Sequence, residues 1–285
     1  MKSINLEKHT AIITGGAGLL GRVYTGALLD AGAKVIIIDK KIHKVKTMNL
    51  IKKESKLDNK KIKNLEFVEC DITNSIQINN TFLKLDKHLK NLKILINNAS
   101  LVKQVGNEDL VDSYKSFLQM NPKDWEEFFS VDLTGTLLVS QKVIPHMQRN
   151  NGGSIINISS TYGILSPDQR LYKIFNKKLS PKLKKQGVKI EKPIGYSISK
   201  SGILNLTRFL ATKFAEDNIR VNTLTLGGVF DGNPSEFVKI YSERTPLKRM
   251  ANKNEYAGPI LFLASQMSSY MTGSNLIVDG GWSSW

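Results

Sequence analysis

Seven short, β-branched apolar runs punctuate this 285-residue chain, separated by stretches long enough for a helix: TAIIT at 10–14, KVIII at 34–38, LEFVE at 65–69, KILIN at 93–97, SIINI at 154–158, RVNTLTL at 220–226 and NLIV at 275–278. Strands joined by helical crossovers pair in parallel, and strands buried on both faces read as unbroken apolar runs. The expected class is α/β, one doubly wound parallel sheet of about seven strands with helices on both faces. Two connecting segments show a helical period. In 123–150, Trp125, Phe128, Phe129, Leu133, Leu137 and Val143 recur at spacings near three and four, and in 197–216 Ile203, Leu204, Leu206, Phe209, Leu210 and Phe214 do the same. No internal repeat or linker divides the chain, so residues 1–285 are expected to form a single domain.

The first run leads directly into TGGAGLLG at 14–21. Gly15, Gly18 and Gly21 have the spacing that lets a chain turn tightly, approach a pyrophosphate with its backbone and pack a helix closely on a strand. A plain βα turn could use the same glycines. The second run, however, ends in Asp39, 39 − 21 = 18 residues after the last of them. A carboxylate there accepts hydrogen bonds from both ribose hydroxyls of an adenosine and repels a 2′-phosphate. The pattern predicts a Rossmann-type domain that binds NAD in preference to NADP. Lys40 and Lys41 oppose that preference, since either could neutralise a phosphate.

Composition narrows the remaining classes. The net charge of +16 invites a nucleic-acid reading, but the lysines are scattered and no zinc-finger, RNP or basic-zipper pattern accompanies them. Nucleic acid is not an expected partner. The single Cys70 excludes an internal disulfide, which suits a reducing compartment. Glu7, Lys8 and His9 interrupt any signal-peptide core, and no apolar run approaches the length of a membrane span. A cytoplasmic protein with no membrane partner and no metal site is expected.

YSISK at 196–200 sets Tyr196 and Lys200 four apart, on one helix face. A free phenol ionises near about 10, too high for a good base at neutral pH. A neighbouring ammonium and a positively charged nicotinamide both favour the phenolate. Ser160, just beyond the fifth run, can donate to a substrate oxygen as charge develops on it.

Together with these residues, the ordered fragments TGGAGLLG, CDIT at 70–73, NNAS at 97–100, VDLTG at 131–135, INISS at 156–160, YSISK, VNTLTLGGV at 221–229 and VDGG at 278–281 make the chain similar to the short-chain dehydrogenase/reductase family over nearly its whole length. The resemblance implies hydride transfer between a nicotinamide cofactor and a secondary alcohol or ketone, with Ser160, Tyr196 and Lys200 doing the chemistry. It also implies cofactor contacts from Gly15, Gly18, Leu19, Leu20, Gly21, Asp39, Asp71, Ile72, Asn97, Ala99, Tyr196, Lys200, Gly227 and Val229. Asp71 and Ile72 would bracket the adenine, and Asn97 would lie under the cofactor. The family usually has Asn at Asp132, where it supports a water relay to the lysine. Aspartate adds a charge that strengthens Lys200 as a cation and opposes the Tyr196 phenolate. Leu19 fills a position often held by glycine, and Leu226 replaces a common proline. Asp132 and Leu226 support the alternative of a catalytically decayed cofactor-binding scaffold or sensor.

SPDQRLY at 166–172, NLTRFLAT, RTPLKRMA and the DGGWSSW terminus resemble bacterial members linked to flagellin and surface-glycan modification. That narrower resemblance implies a sugar or sugar-phosphate substrate, in the making of nonulosonic-acid-type sugars. Ser160 and Tyr196 are 196 − 160 = 36 residues apart, and the excess over a short loop forms a basic insertion at about 165–194. Arg170 and Tyr172 are expected to grip an anionic or sugar group, whereas 177–192, rich in lysine and without evident apolar anchors, reads as a tolerated surface excursion. A second substrate loop is expected at about 228–256. A homodimer or homotetramer is expected from the resemblance and from the apolar surplus at Phe128, Phe129, Leu138 and Phe209.

Overall fold

A computed structural model describes residues 4–101 and 116–285. The described residues build one parallel sheet from β1 (Thr10–Thr14), β2 (Lys34–Asp39), β3 (Leu65–Glu69), β4 (Leu92–Asn97), β5 (Gly153–Ser160), β6 (Ile219–Leu226) and β7 (Asn275–Val278). The strand order is β3-β2-β1-β4-β5-β6-β7, with every pairing parallel. The chain reverses direction across the sheet between β1 and β4, which opens a crevice beyond their carboxyl ends.

The inner runs became strands whose two faces meet different helices, whereas the edge strands β3 and β7 are only half-buried. Val35 and Ile37 join Ala11 and Ile13 in a core completed by α1 (Leu19–Asp30), α2 (Lys44–Ser55) and α11 (Ala257–Ala264). Ile36 and Ile38 join Ile12 and Leu95 on the opposite face, under α4 (Ser75–Leu85), α6 (Thr136–Arg149) and α9 (Ile194–Lys213). Alternate residues point to opposite faces, so continuous runs are what a doubly covered sheet needs. Ile12, Ile13, Ile36 and Ile37 are fully buried, each stabilising the fold by about 2 kcal/mol relative to an exposed side chain. The one-turn helix α3 (Asn59–Ile62) precedes β3. Among the described residues, no helix is long and apolar enough to cross a membrane.

The helix expected over 123–150 is not continuous. It comprises α5 (Pro122–Phe129), a π-helical turn over Ser130–Gly135, and α6. Such turns insert an extra residue into the helical ladder and re-aim the side chains around it; here the residue they place is Asp132.

The insertion departs most from expectation. It folds into a 3₁₀ turn (Gln169–Tyr172), α7 (Lys173–Lys178) and α8 (Pro181–Lys185). Leu171, Tyr172, Ile174, Phe175, Leu179 and Ile190 form a third core cluster with Phe237, Tyr241, Met250 and Trp282, and Leu183 and Val188 pack against it. Residues 177–192 therefore do have apolar anchors. They are spaced irregularly among lysines, so no period reveals them. Two amide side chains tie the segment together. The Asn176 Nδ2 donates to the Tyr172 and Ile190 carbonyls, and its Oδ1 accepts from the Ile190 N–H at 2.7 Å. Gln169 does the same for Lys192, receiving its N–H at 2.8 Å and donating to its carbonyl at 3.1 Å. The 228–256 loop supplies the other half of the cap through α10 (Ser235–Arg244), on which Tyr241 stacks against Trp282 with ring centroids 4.2 Å apart.

Candidate active site

The glycine loop meets the requirements of a dinucleotide diphosphate. Gly15 adopts φ +63°, and a Cβ there would strike the Ala99 backbone. A Cβ on Gly21 would overlap the Gly15 carbonyl oxygen and the Gly16 Cα, so this position admits only glycine. Gly18 caps α1, whose first turn contains no acidic residue and receives no side-chain cap. The early N–H groups of α1, those of Leu19 and Leu20 among them, thus point out of the helix beside Gly18. Orphan donors at the positive end of a helix dipole are a natural anion site.

Asp39, the last residue of β2, accepts the Ala17 N–H at 3.1 Å. Burial raises its carboxyl above the ordinary range, while the backbone N–H groups of Ala17, Lys40 and Lys41 oppose that rise. Lys40 does not stand over the ribose position as a free cation. Its ammonium pairs with Asp71 at 2.8 Å, and Asp71 also accepts the N–H and hydroxyl of Thr73. Although burial acts in the other direction, Lys40 and Thr73 hold the Asp71 carboxyl below its usual range. Ile72 is buried, with its side chain against Gly135.

Asn97 and Asn98, at the end of β4, point to opposite faces of the sheet. The Asn97 side chain is buried and donates to Asn157 Oδ1 at 2.8 Å and Ser140 Oγ at 3.3 Å, inside the helical core. The next residue faces the glycine loop instead. Asn98 Nδ2 donates to the Thr14 and Gly15 carbonyls, and the N–H groups of Asn98 and Ala99 both donate to Thr14 Oγ1 at 3.1 Å. Thr14 and Asn98 lock the β1 and β4 ends together at the crevice, and neither was singled out from the sequence. The doubled asparagine of NNAS was the available signal, and successive residues on opposite faces explain why the first of the pair is the buried one. Gly227 packs against the Asp279 backbone, and Val229 forms an isolated bridge with Ala251, so both sit at the carboxyl end of β6.

The candidate catalytic residues come together where β5 ends and α9 begins. Ser160 caps the following 3₁₀ turn by accepting the Tyr162 N–H at 3.2 Å. Tyr196 and Lys200 share a face of α9. Lys200 Nζ is buried, donates to the Ile158 carbonyl at 3.1 Å, and lies 3.8 Å from Asp132 Oδ2. Asp132 is buried too, accepting the Ser199 hydroxyl at 2.6 Å and the Leu101 N–H at 3.3 Å. Its charge is therefore partnered on three sides, as a buried carboxylate requires. The Tyr196 phenol is pushed up to about 12: burial dominates, Ser160 opposes it by favouring the ionised form, and Asp132 adds to the rise. Phe128 forms a wall beside it, 6.5 Å away edge to face and in contact with Gly195. It is thus part of the site's own packing and not surplus surface.

Arg170 and Tyr172 are not brought to this point. Arg170 is 73% exposed, with its Nε 2.8 Å from the Asp168 carboxylate, which also pairs with Arg244 at 2.5 Å. Arg170 holds Asp168 down to about 2. The Tyr172 side chain is buried in the third cluster and hydrogen-bonds Tyr162. Lys192 occupies the place expected of Arg170. Its Nζ stands 3.9 Å from the Tyr196 ring centroid and 5.8 Å from that of Tyr162. The sequence does hold a signal, since Lys192 precedes Tyr196 by the same four residues by which Lys200 follows it.

When bound, a nicotinamide dinucleotide would accept or donate the hydride and, oxidised, add positive charge beside the phenol. The chain's own residues then have separate tasks. The α1 N-terminus and Asp39 would hold the two ends of an adenosine diphosphate. Tyr196 would hold or release a proton at its phenol oxygen, Ser160 would donate to the reacting oxygen, and Lys200 would stand under the Tyr196 face.

Comparison with known proteins agrees with this geometry. Residues 9–172 match the family described as short chain dehydrogenase, and residues 183–283 that described as enoyl-(acyl carrier protein) reductase. The chain is 29% identical to a 3-oxoacyl-[acyl-carrier-protein] reductase of Aquifex aeolicus, over 98% of each chain. It is 32% identical to a ribulose-forming D-arabinitol 2-dehydrogenase of Scheffersomyces stipitis, covering 99% of this chain and 96% of that one. A short-chain dehydrogenase of Leptospira borgpetersenii, crystallised with bound NAD+, superposes with a TM-score of 0.80 at 30% identity, covering 99% and 96%. The expected likeness to flagellin-modification proteins has a counterpart in post-translational flagellin modification protein A of Campylobacter coli, 26% identical over 97% and 99%. The chain belongs to the short-chain dehydrogenase/reductase family, as an NAD(P)-dependent oxidoreductase acting on CH–OH groups.

Proposed function

We propose that this enzyme is a cytoplasmic, NAD-dependent dehydrogenase that interconverts a secondary alcohol and a ketone on a sugar or sugar-phosphate-type substrate, in making sugars for surface glycans. The observation that carries it is the juxtaposition of Ser160, Tyr196 and Lys200 beneath a polar cap bearing Lys192, Tyr162 and Gln169. Such a mouth suits a hydroxylated, charged substrate better than an acyl chain. Polyol and flagellin-modification relatives at 32% and 26% identity support the same class. Incubation with NAD and a panel of alditols, aldonates and sugar phosphates, followed at the absorbance of NADH, tests it. Turnover of acyl thioesters alone would reject it.

NAD is the preferred cofactor in this reading, because Asp39 ends β2 beside the glycine loop while Lys40 is tied to Asp71. Calorimetry should find NAD binding at least about tenfold tighter than NADP, the value of one well-placed charged hydrogen bond or repulsion. Asp39→Ala should narrow that gap. Tighter NADP binding by the wild type would assign Lys40 or Lys41 to the phosphate.

The enzyme is also proposed to be a homodimer or homotetramer. Phe128 and Leu138 pack against their own chain, but Phe209 is 63% exposed, and Ile198 on the same helix and Leu137 on α6 are exposed as well. Light scattering at micromolar concentration should return at least twice the chain mass of 31.9 kDa; a monomeric mass would reject this.

A further inference from the structure

We propose that Lys192 forms, over the catalytic phenol, a subsite for an oxyanion of the substrate, a carboxylate or a phosphate carried within a few bonds of the reacting carbinol. The proposal rests on the function proposed above and deepens it by naming the group that the substrate must carry.

The position of Lys192 is imposed from outside the site. Gln169 holds both backbone polar groups of the residue, and Pro193 follows, which keeps the preceding residue extended. The side chain is thereby delivered to Tyr196 whatever its own preference. Its ammonium is partly buried, and among the described residues no carboxylate pairs with it. Contact with the Tyr196 face contributes about 0.5–2 kcal/mol, less than an ion loses on leaving water without a partner. Burial first, and Lys200 second, bring Lys192 down to about 8. Among the described residues, the charged and titratable groups around it are Tyr162 after β5, Tyr196 and Lys200 on α9, and Asp132 on the π turn. Among these, two ammonium groups share one carboxylate, and Asp132 is already engaged by Ser199, the Leu101 N–H and Lys200. A substrate oxyanion would balance the surplus. A role on the tyrosine itself is the weaker reading, because burial, Ser160 and Asp132 dominate its acidity.

The test is calorimetric titration of the NADH-saturated enzyme at pH 7 with D-gluconate, D-glucose 6-phosphate and D-glucose. One or both anions should bind more tightly than glucose, and whichever binds better distinguishes carboxylate from phosphate. Lys192→Met should weaken the anion by about tenfold to a hundredfold, the loss of a charge-assisted hydrogen bond, and leave NADH affinity unchanged as evidence of folding. Lys192→Arg should retain it. Wild-type anion affinity should fall as pH rises through about 8, where Lys192 loses its proton. The proposal is overturned if neither anion binds, or if Lys192→Met binds the anion as wild type does, even should turnover fall through an altered alkaline pH limb. Tight anion binding without NAD-linked turnover of any sugar would instead reject the proposed function and leave the subsite standing.

Discussion

Tyr196→Phe should lower turnover by about a hundredfold to ten-thousandfold, the usual contribution of a positioned acid–base group, while NAD affinity stays within about twofold. The asymmetry follows from what the phenol touches. Its hydroxyl faces Ser160 and the substrate position, whereas its ring is held by Lys192 above and Phe128 at the edge. Phenylalanine keeps the ring contacts and removes the proton. A phenol raised to about 12 is protonated in the free enzyme at neutral pH, ready to donate to a ketone. Alcohol oxidation needs the phenolate, so its rate should rise with pH, and ketone reduction should fall at the alkaline end. Wild-type turnover in Tyr196→Phe, measured by NADH absorbance with calorimetric NAD binding alongside, would remove Tyr196 from the chemistry.

Deletion of 177–189 should be severely damaging, contrary to what the lysine-rich sequence suggests. The ends could be joined, because Asn176 already bonds Ile190. The deletion nevertheless strips Leu179, Leu183 and Val188 from the third cluster and exposes Phe175 and Phe237. Losing even one buried leucine costs about 2–5 kcal/mol, so the melting temperature should fall by at least about 5 °C. The catalytic efficiency should fall further, since the cap that delivers Lys192 to Tyr196 would be loosened. Arg170→Ala, by contrast, should be nearly silent in both KM and stability: the side chain is exposed, and Arg244 keeps Asp168 paired. A deletion variant that melts and turns over like wild type would make the cap dispensable. A large KM effect from Arg170→Ala would return the substrate contact to Arg170.

The parts legible in the sequence were those whose signal is local. Seven apolar runs became seven strands, and the inner ones are unbroken because burial on both faces demands it. Gly15 and Gly21 are required by a backbone angle and a close approach within a single turn. Tyr196 and Lys200 share a helix face through spacing alone, and Asp39 ends its strand beside the glycine loop. Residue type and short separation suffice for each.

What the tertiary structure decided lies between distant segments. NNAS does not say which asparagine turns toward Gly15; the register of β4 against β1 does. The helical period over 123–150 does not announce a π turn, which becomes apparent only once Asp132 must reach Ser199, 67 residues away. Arg170 and Lys192 are equally basic in the sequence, and Asp168, Arg244 and Gln169 decide that the first stays in water while the second lies over Tyr196. The insertion's leucines and isoleucines have no period because they pack around Phe237, Tyr241 and Trp282 rather than along one regular face. Local conformation is set by sterics and hydrogen bonds among near neighbours, which a sequence states directly. The partner of a buried charge or an irregular apolar side chain is set by which surfaces exclude water together, and that exists only once the chain has folded.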